Sequence, residues 1–321
     1  MPLTVPPPAT PPAEIRPARP SPAELESRLL EAYDWGRPLP PEAPKGPAGA
    51  AHRWLEAAAT FDPRGGLPAN PFPPGAAHRE AESLRTLLKG SPDQVAARLP
   101  ALPLRQSGTA LALWRWGQAR VRAGAFSAAT RRTWEDRLLA QGPALTRGYA
   151  LRHALCWALA DQDEARFADI KARPAPEVDS VVTEFQRLFG LLGGPSPDLR
   201  LWSLPGLDYQ DLKLGQLGAP RVWICPAEGG PLPDLPGNVA WIIPSTEGGL
   251  DARSASLPEG LLEEGRALAA RLRAAGRTAR FAPSRAAFEA LGLAWFPILI
   301  DLDAQGNVQA IRMGDAAPRN P

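Results

Sequence analysis

The sequence predicts a chain of class α + α/β: an N-terminal all-helical domain, built as an antiparallel helical array over 48–194, followed by an α/β domain over 198–316. Three observations predict it. Between 49 and 194 apolar residues recur at helical spacing in segments of roughly 9–18 residues joined by short links, the pattern of antiparallel helical neighbours. Gly193, Gly194, Pro195, Ser196 and Pro197 then form the clearest linker in the chain. Beyond it, short apolar strands alternate with helical segments and close on LGLAWFPILIDLDAQGNVQAIRMG, residues 291–314. That stretch holds a helix end, an X-Pro junction, an apolar strand, a turn and a second strand.

Residues 1–47 are proline-rich and poor in periodic apolar residues, so an extended and largely disordered tail is expected. One helical patch interrupts it. Ser21 is a cap, Pro22 suits a first turn, Glu24 completes a capping box, and Leu25, Leu29, Leu30 and Tyr33 follow at helical spacing. The patch reads either as a helix docking back onto its own domain or as a partner-binding peptide.

The array starts with a helix at 52–60, followed by the loop FDPRGGLPANPFPPG at 61–75. A helix at 79–89 is closed by Gly90. Ser91 and Pro92 open the next, which runs to about Leu99. Residues 109–123 follow, with Leu111, Leu113, Trp114, Trp116 and Val121 apolar. Ser127 caps a helix ending near Gly142. Pro143 opens another with Leu151, Leu155 and Leu159 on one face, and helices at 161–173 and 176–192 complete the set. The tryptophans of this region read as core rather than as a ligand box. No fixed repeat period is present.

In the second domain, 198–204 and 209–217 read as extended segments, RVWIC at 221–225 as a short buried strand and NVAWII at 238–243 as a second. A long helix at 259–275 turns Leu261, Leu262, Leu268 and Leu272 inward, and 278–282 is a third strand. A short helix at 285–291, capped by Ser284, leads to Pro297 at the front of Ile298, Leu299 and Ile300, where a missing N–H is tolerable. Phe296–Pro297 is a candidate cis peptide. Asp303, Gly306 and Asn307 supply the turn, and 308–312 alternates apolar and polar.

On these residues the chain resembles the thioredoxin-like superfamily, in particular its TlpA/peroxiredoxin-like branch. The order is helix, Pro297, Asp303, Gly306 and Gly314, with SLPGLDYQDLKLGQL at 203–217 in the place of the family's leading hairpin. The resemblance spans roughly 199–316, about a third of the chain. It implies a redox fold whose strand at 222–224 runs into a Cys-x-x-Cys helix start, where the helix N-terminus activates the first thiol and the second resolves the mixed disulfide. Laid on this chain, that motif falls on Gly229, Gly230, Pro231 and Leu232: Gly-Pro survives and both thiol positions are gone. Pro231, Pro233 and Pro236 leave at most one helical turn there. The family's last helix is also missing, because only seven residues follow Gly314. The helical array is expected to cover the sheet face this leaves bare.

The expected activity is therefore none. The resemblance implies a redox-dead thioredoxin-like domain that binds or scaffolds, presenting Gly229, Gly230, Pro231, Leu232, Trp295, Phe296 and Pro297 as a peptide-binding edge. The rival is a single-cysteine thiol oxidoreductase or redox sensor using Cys225. That requires an exposed thiol near positive charge, and the neighbouring Glu228 would oppose it. With Cys156 as the other cysteine, the chain has two, too few for a disulfide scaffold.

No cofactor or metal is expected. His52, His78 and His153 lack ligand spacing, and Gly229–Gly230 and Gly248–Gly249 lack a phosphate-loop pattern. Charge is nearly balanced, 36 Lys+Arg against 34 Asp+Glu, so a protein or peptide partner is expected rather than nucleic acid or membrane. The N-terminus does not read as a secretory signal, and with two cysteines a cytoplasmic location is expected.

Overall fold

The computed structural model describes residues 70, 74–105, 107–173, 178–203, 209–224, 235, 238–244, 279–282 and 297–317, with scattered positions between 263 and 274. The expectations for the tail at 1–47, for Ser21 to Tyr33, for the helices at 52–60 and 285–291, and for the loop at 61–69 lie outside the described residues.

Among the described residues, helices come first and strands second, as in the α+β class. Helix α1 (Ala76–Leu87) buries Ala81, Leu84 and Leu87 at helical spacing. Helix α2 (Pro92–Arg98) starts at the expected capping box. The Ser91 hydroxyl accepts from the Gln94 N–H at 3.4 Å, and Gln94 accepts in return from the Ser91 N–H at 3.1 Å. Helices α3 (Ser107–Arg122), α4 (Ala128–Gln141) and α5 (Ala144–Ala160) form the centre of the array, with α4 packed chiefly on α5. Ser127 caps α4 as expected, accepting from the Thr130 N–H at 3.1 Å.

The next helix is shorter than the sequence predicts. Gln162 takes a left-handed conformation (φ 53°) that ends α5, and the Asp163 side chain accepts from the Arg166 N–H at 2.9 Å, so α6 spans Glu164–Lys171. Helix α7 (Val178–Leu191) buries Val181, Val182, Phe185 and Leu188.

Seven strands form one mixed sheet: β1 (Asp198–Ser203), β2 (Tyr209–Lys213), β3 (Arg221–Ile224), β4 (Val239–Pro244), β5 (Ala279–Ala282), β6 (Ile298–Leu302) and β7 (Val308–Met313), in spatial order β2-β1-β5-β4-β3-β6-β7. Strands β3, β4 and β5 run parallel; the β1–β2 hairpin joins β5 antiparallel and the β6–β7 hairpin joins β3 antiparallel. The second extended segment stops at Lys213. Leu214–Leu217 is a 3-10 turn because Gly215 must meet Gly306 backbone to backbone, where a Cβ would lie 2.8 Å from the Gly306 Cα. Between 263 and 274, the described helical residues Glu263, Arg266, Ala267, Ala270, Arg271, Arg273 and Ala274 are all exposed. This is the solvent side of the expected helix; its four leucines lie outside the described residues.

The residues at 193–197 do not hang free. The Gly193 N–H donates to the Val308 carbonyl and the Val308 N–H to the Gly194 carbonyl, each at 2.8 Å, and the Ser196 hydroxyl accepts from the Gly215 N–H at 3.0 Å. The turn glycines stitch the end of the helical array onto the start of β7.

Helices and sheet share one apolar cluster. Leu151, Leu155, Phe185 and Leu188 belong to it together with Val222, Ile224, Ile242, Ile298, Ile300, Ile311 and Met313. Helix α5 lies against β7 and against the 3-10 turn Gly314–Ala316. Trp223, Trp241 and Leu299 alternate to the opposite face and are also buried.

Candidate functional site

The end of β3 defines the site. Ile224 pairs with Ile298 across the antiparallel β3–β6 ladder, so the residue before Ile298, Pro297, stands beside the point where the chain leaves β3. Ile224 also pairs with Ile242 of β4, and Pro244 of β4 with Ala282 of β5, both parallel. The carboxyl ends of three parallel strands thus lie along one margin, and β3 carries neighbours of opposite sense on its two sides. Ligands of open α/β sheets bind at such margins.

Pro297 is half-buried, and its carbonyl accepts from the Gly314 N–H at 2.9 Å. Gly314 has φ 54°, a conformation that favours glycine, and opens the turn Gly314–Ala316. Ile224, Ile298 and Met313, which frame Pro297 in the register, are fully buried. The sheet neighbours of Pro297 in the register are thus apolar among the described residues. Asp301 on β6 pairs with Arg312 at 2.6 Å and with Arg221 at 3.4 Å.

Of the residues predicted for the site, Pro297 is described, whereas Cys225, Gly229, Gly230, Pro231, Leu232, Trp295 and Phe296 lie outside the described residues. Cys156 is buried on α5. Burial pushes its thiol pKa well above the usual range, with the Asp315, Glu184 and Glu135 carboxylates acting the same way.

One residue near the margin escaped the sequence reading. Asp315, with its side chain 8% exposed, accepts from the Gln118 side-chain amide at 2.7 Å and from the Arg122 guanidinium at 2.8 Å. Nothing local in the sequence marks it, since its partners are nearly two hundred residues away.

A second unforeseen cluster sits inside the helical array. Glu135 is buried; one of its oxygens lies 2.8 Å from His153 Nδ1, the other 3.4 Å from the Arg166 guanidinium, and Arg131 lies 3.7 Å away. The Trp157 indole N–H donates to His153 Nε2 at 3.2 Å, which leaves Nδ1 as the donor toward Glu135. Trp114 stacks on Trp134 with centroids 5.0 Å apart, the His153 ring stands edge-on to both, and Arg131 lies over Trp157 at 3.9 Å. With both ring nitrogens engaged, His153 is a satisfied core histidine, and these tryptophans are core as the sequence predicts. Among the described residues no three His, Cys, Asp or Glu side chains are grouped to hold a metal ion, and no helix is long and apolar enough to cross a membrane.

No family model, curated protein or solved structure matches the chain.

Proposed function

We propose that the protein is a non-catalytic binding or scaffold protein: a helical domain fused to a thioredoxin-like domain that has lost its thiol pair and presents the Pro297 margin to an extended peptide. The observation that carries this is the Ile224–Ile298 register, which brings Pro297 to the end of the strand leading into Gly229, Gly230, Pro231 and Leu232. The sheet supports it further. A leading hairpin, a parallel centre and an edge hairpin ending at Gly314 occur in the order that the resemblance implies. With Gly229 and Leu232 at the thiol positions, two-cysteine exchange has no nucleophile and no resolving group. Main-chain pairing supplies affinity in strand-like recognition, and apolar pockets supply selectivity.

Selection of random-sequence peptides on the native full-length chain tests this reading. A bound peptide is expected whose affinity falls at least about tenfold, roughly 1.4 kcal/mol, in Pro297→Thr and in Leu232→Arg. The native chain is expected to show no disulfide-reductase turnover. Failure to select any peptide, or binding that ignores both substitutions, defeats the proposal, as does reductase turnover.

A further inference from the structure

We propose that Asp315 is a positioning residue for the Pro297 margin and couples that margin to the helical array. This inference rests on the reading of the margin as a binding edge. The chain of contacts is short and continuous. Gln118 and Arg122, both on α3, hold the two carboxylate oxygens of Asp315. Asp315 is the middle residue of the turn Gly314–Ala316, and that turn also packs on α5. Gly314, the first residue of the turn, donates its N–H to the carbonyl of Pro297. A shift of α3 is therefore delivered through one carboxylate and one peptide unit to the residue heading β6.

Three features make this a device for positioning rather than general packing. The Asp315 carboxylate is largely withdrawn from water, so its bonds to Gln118 and Arg122 are charge-assisted and directional. The left-handed Gly314 allows the chain to leave β7 and turn back within one residue, which ties the place of the turn to the place of Pro297. The helical side of the contact comes from a helix whose own core residues, Leu111, Leu113 and Trp116, are fixed by burial. Coupling needs a physical element that both ends touch, and the turn Gly314–Ala316 is bonded to α3 through Asp315 and to Pro297 through Gly314. A peptide seated at Pro297 would then be felt at α3, and an event on α3 would tune the affinity at Pro297, with reciprocal magnitudes.

Amide exchange of the full-length chain, followed by NMR, reads the coupling directly at Gly314. In Asp315→Ala, Gly314 exchange is expected to accelerate at least about tenfold beyond any change at Leu138, a buried residue of α4. Arg122→Ala, a change at a half-exposed side chain that leaves the core untouched, is expected to act in the same direction. Asp315→Asn keeps an acceptor for Gln118 and is expected to fall between. The peptide selected on the native chain is expected to bind more weakly to Asp315→Ala in proportion to the Gly314 effect. Gly314 exchange that moves only in step with Leu138 overturns the inference, and so does accelerated Gly314 exchange with unchanged peptide affinity. If no peptide is ever selected, the binding edge fails, while the Gly314 measurement still decides whether Asp315 positions Pro297.

Discussion

The indole of Trp134 occupies the space a side chain on Gly117 would need: a Cβ there would lie 2.0 Å from Trp134 Cε2 and 2.4 Å from Nε1. One turn earlier on α3, the Leu113 carbonyl accepts from the Trp134 Nε1–H at 3.1 Å, so the ring is held against the glycine by its own hydrogen bond. Gly117 is accordingly a packing glycine in mid-helix, where its intrinsic helix cost of about 1 kcal/mol is offset by close approach. Gly117→Ala should destabilise the chain by about 1–3 kcal/mol despite the better helix propensity of alanine. A urea titration followed by tryptophan fluorescence checks this, and an unchanged or higher midpoint would contradict the packing described.

Glu135 is the anion that two buried guanidinium groups and His153 share. Glu135→Ala leaves His153 Nδ1 without its acceptor, while Arg131 keeps Asp161 at 2.7 Å and Arg166 keeps Asp136 at 2.8 Å, so a loss of about 1–3 kcal/mol is expected. Arg173→Ala, at a residue a third exposed whose partners are Asp136 and Asp169, should cost no more than about 1 kcal/mol and lose that effect in high salt. Denaturant midpoints of the two variants at low and high salt separate the cases; equal effects would show that burial of Glu135 does not set its cost.

Asp303 should leave a mark on acid stability. Its carboxylate accepts from the Asn307 N–H and side-chain amide, then from the Gln305 N–H and the Gln309 side chain, which holds its pKa below the ordinary 3.8. A carboxyl whose folded pKa is depressed adds stability above its unfolded pKa, and that share fades as pH falls through the folded value. The native chain should therefore exceed Asp303→Ala in stability at neutral pH by a margin that shrinks below about pH 4. Melting temperatures across that range test the sign; a margin that grows on acidification would refute it.

The two cysteines should differ as reporters. Cys156, buried and with its thiol kept protonated, should resist alkylation in the native chain at neutral pH. Any thiol that reacts quickly before denaturation is therefore Cys225. On the proposed binding function none should react quickly, and both should react in urea. A single fast thiol that disappears in Cys225→Ser would favour the redox-sensor alternative.

Local order was legible in the residues themselves. Ser91 and Ser127 announced helix starts because a short hydroxyl side chain next to a helical run has few better partners than the first free N–H groups. Pro297, Asp303 and Gly306 marked the edge hairpin because a strand start without an N–H, an Asx turn and a left-handed glycine are each local needs. Short apolar runs gave the strands, since period and length are written in consecutive residues.

Partnership across the chain was decided by the tertiary structure alone. Nothing in its neighbours marks Glu135 as a buried anion; α5 and α6 bring His153 and Arg166 to it. Residues 193–197 looked like a free linker until the edge of β7 took up their hydrogen bonds. Asp315 acquired its role only when α3, far away in sequence, came to lie beside the last turn. Propensity and periodicity depend on neighbours a few residues away and can be read in order; ion pairs, strand order and backbone-to-backbone approach depend on which distant surfaces burial brings together.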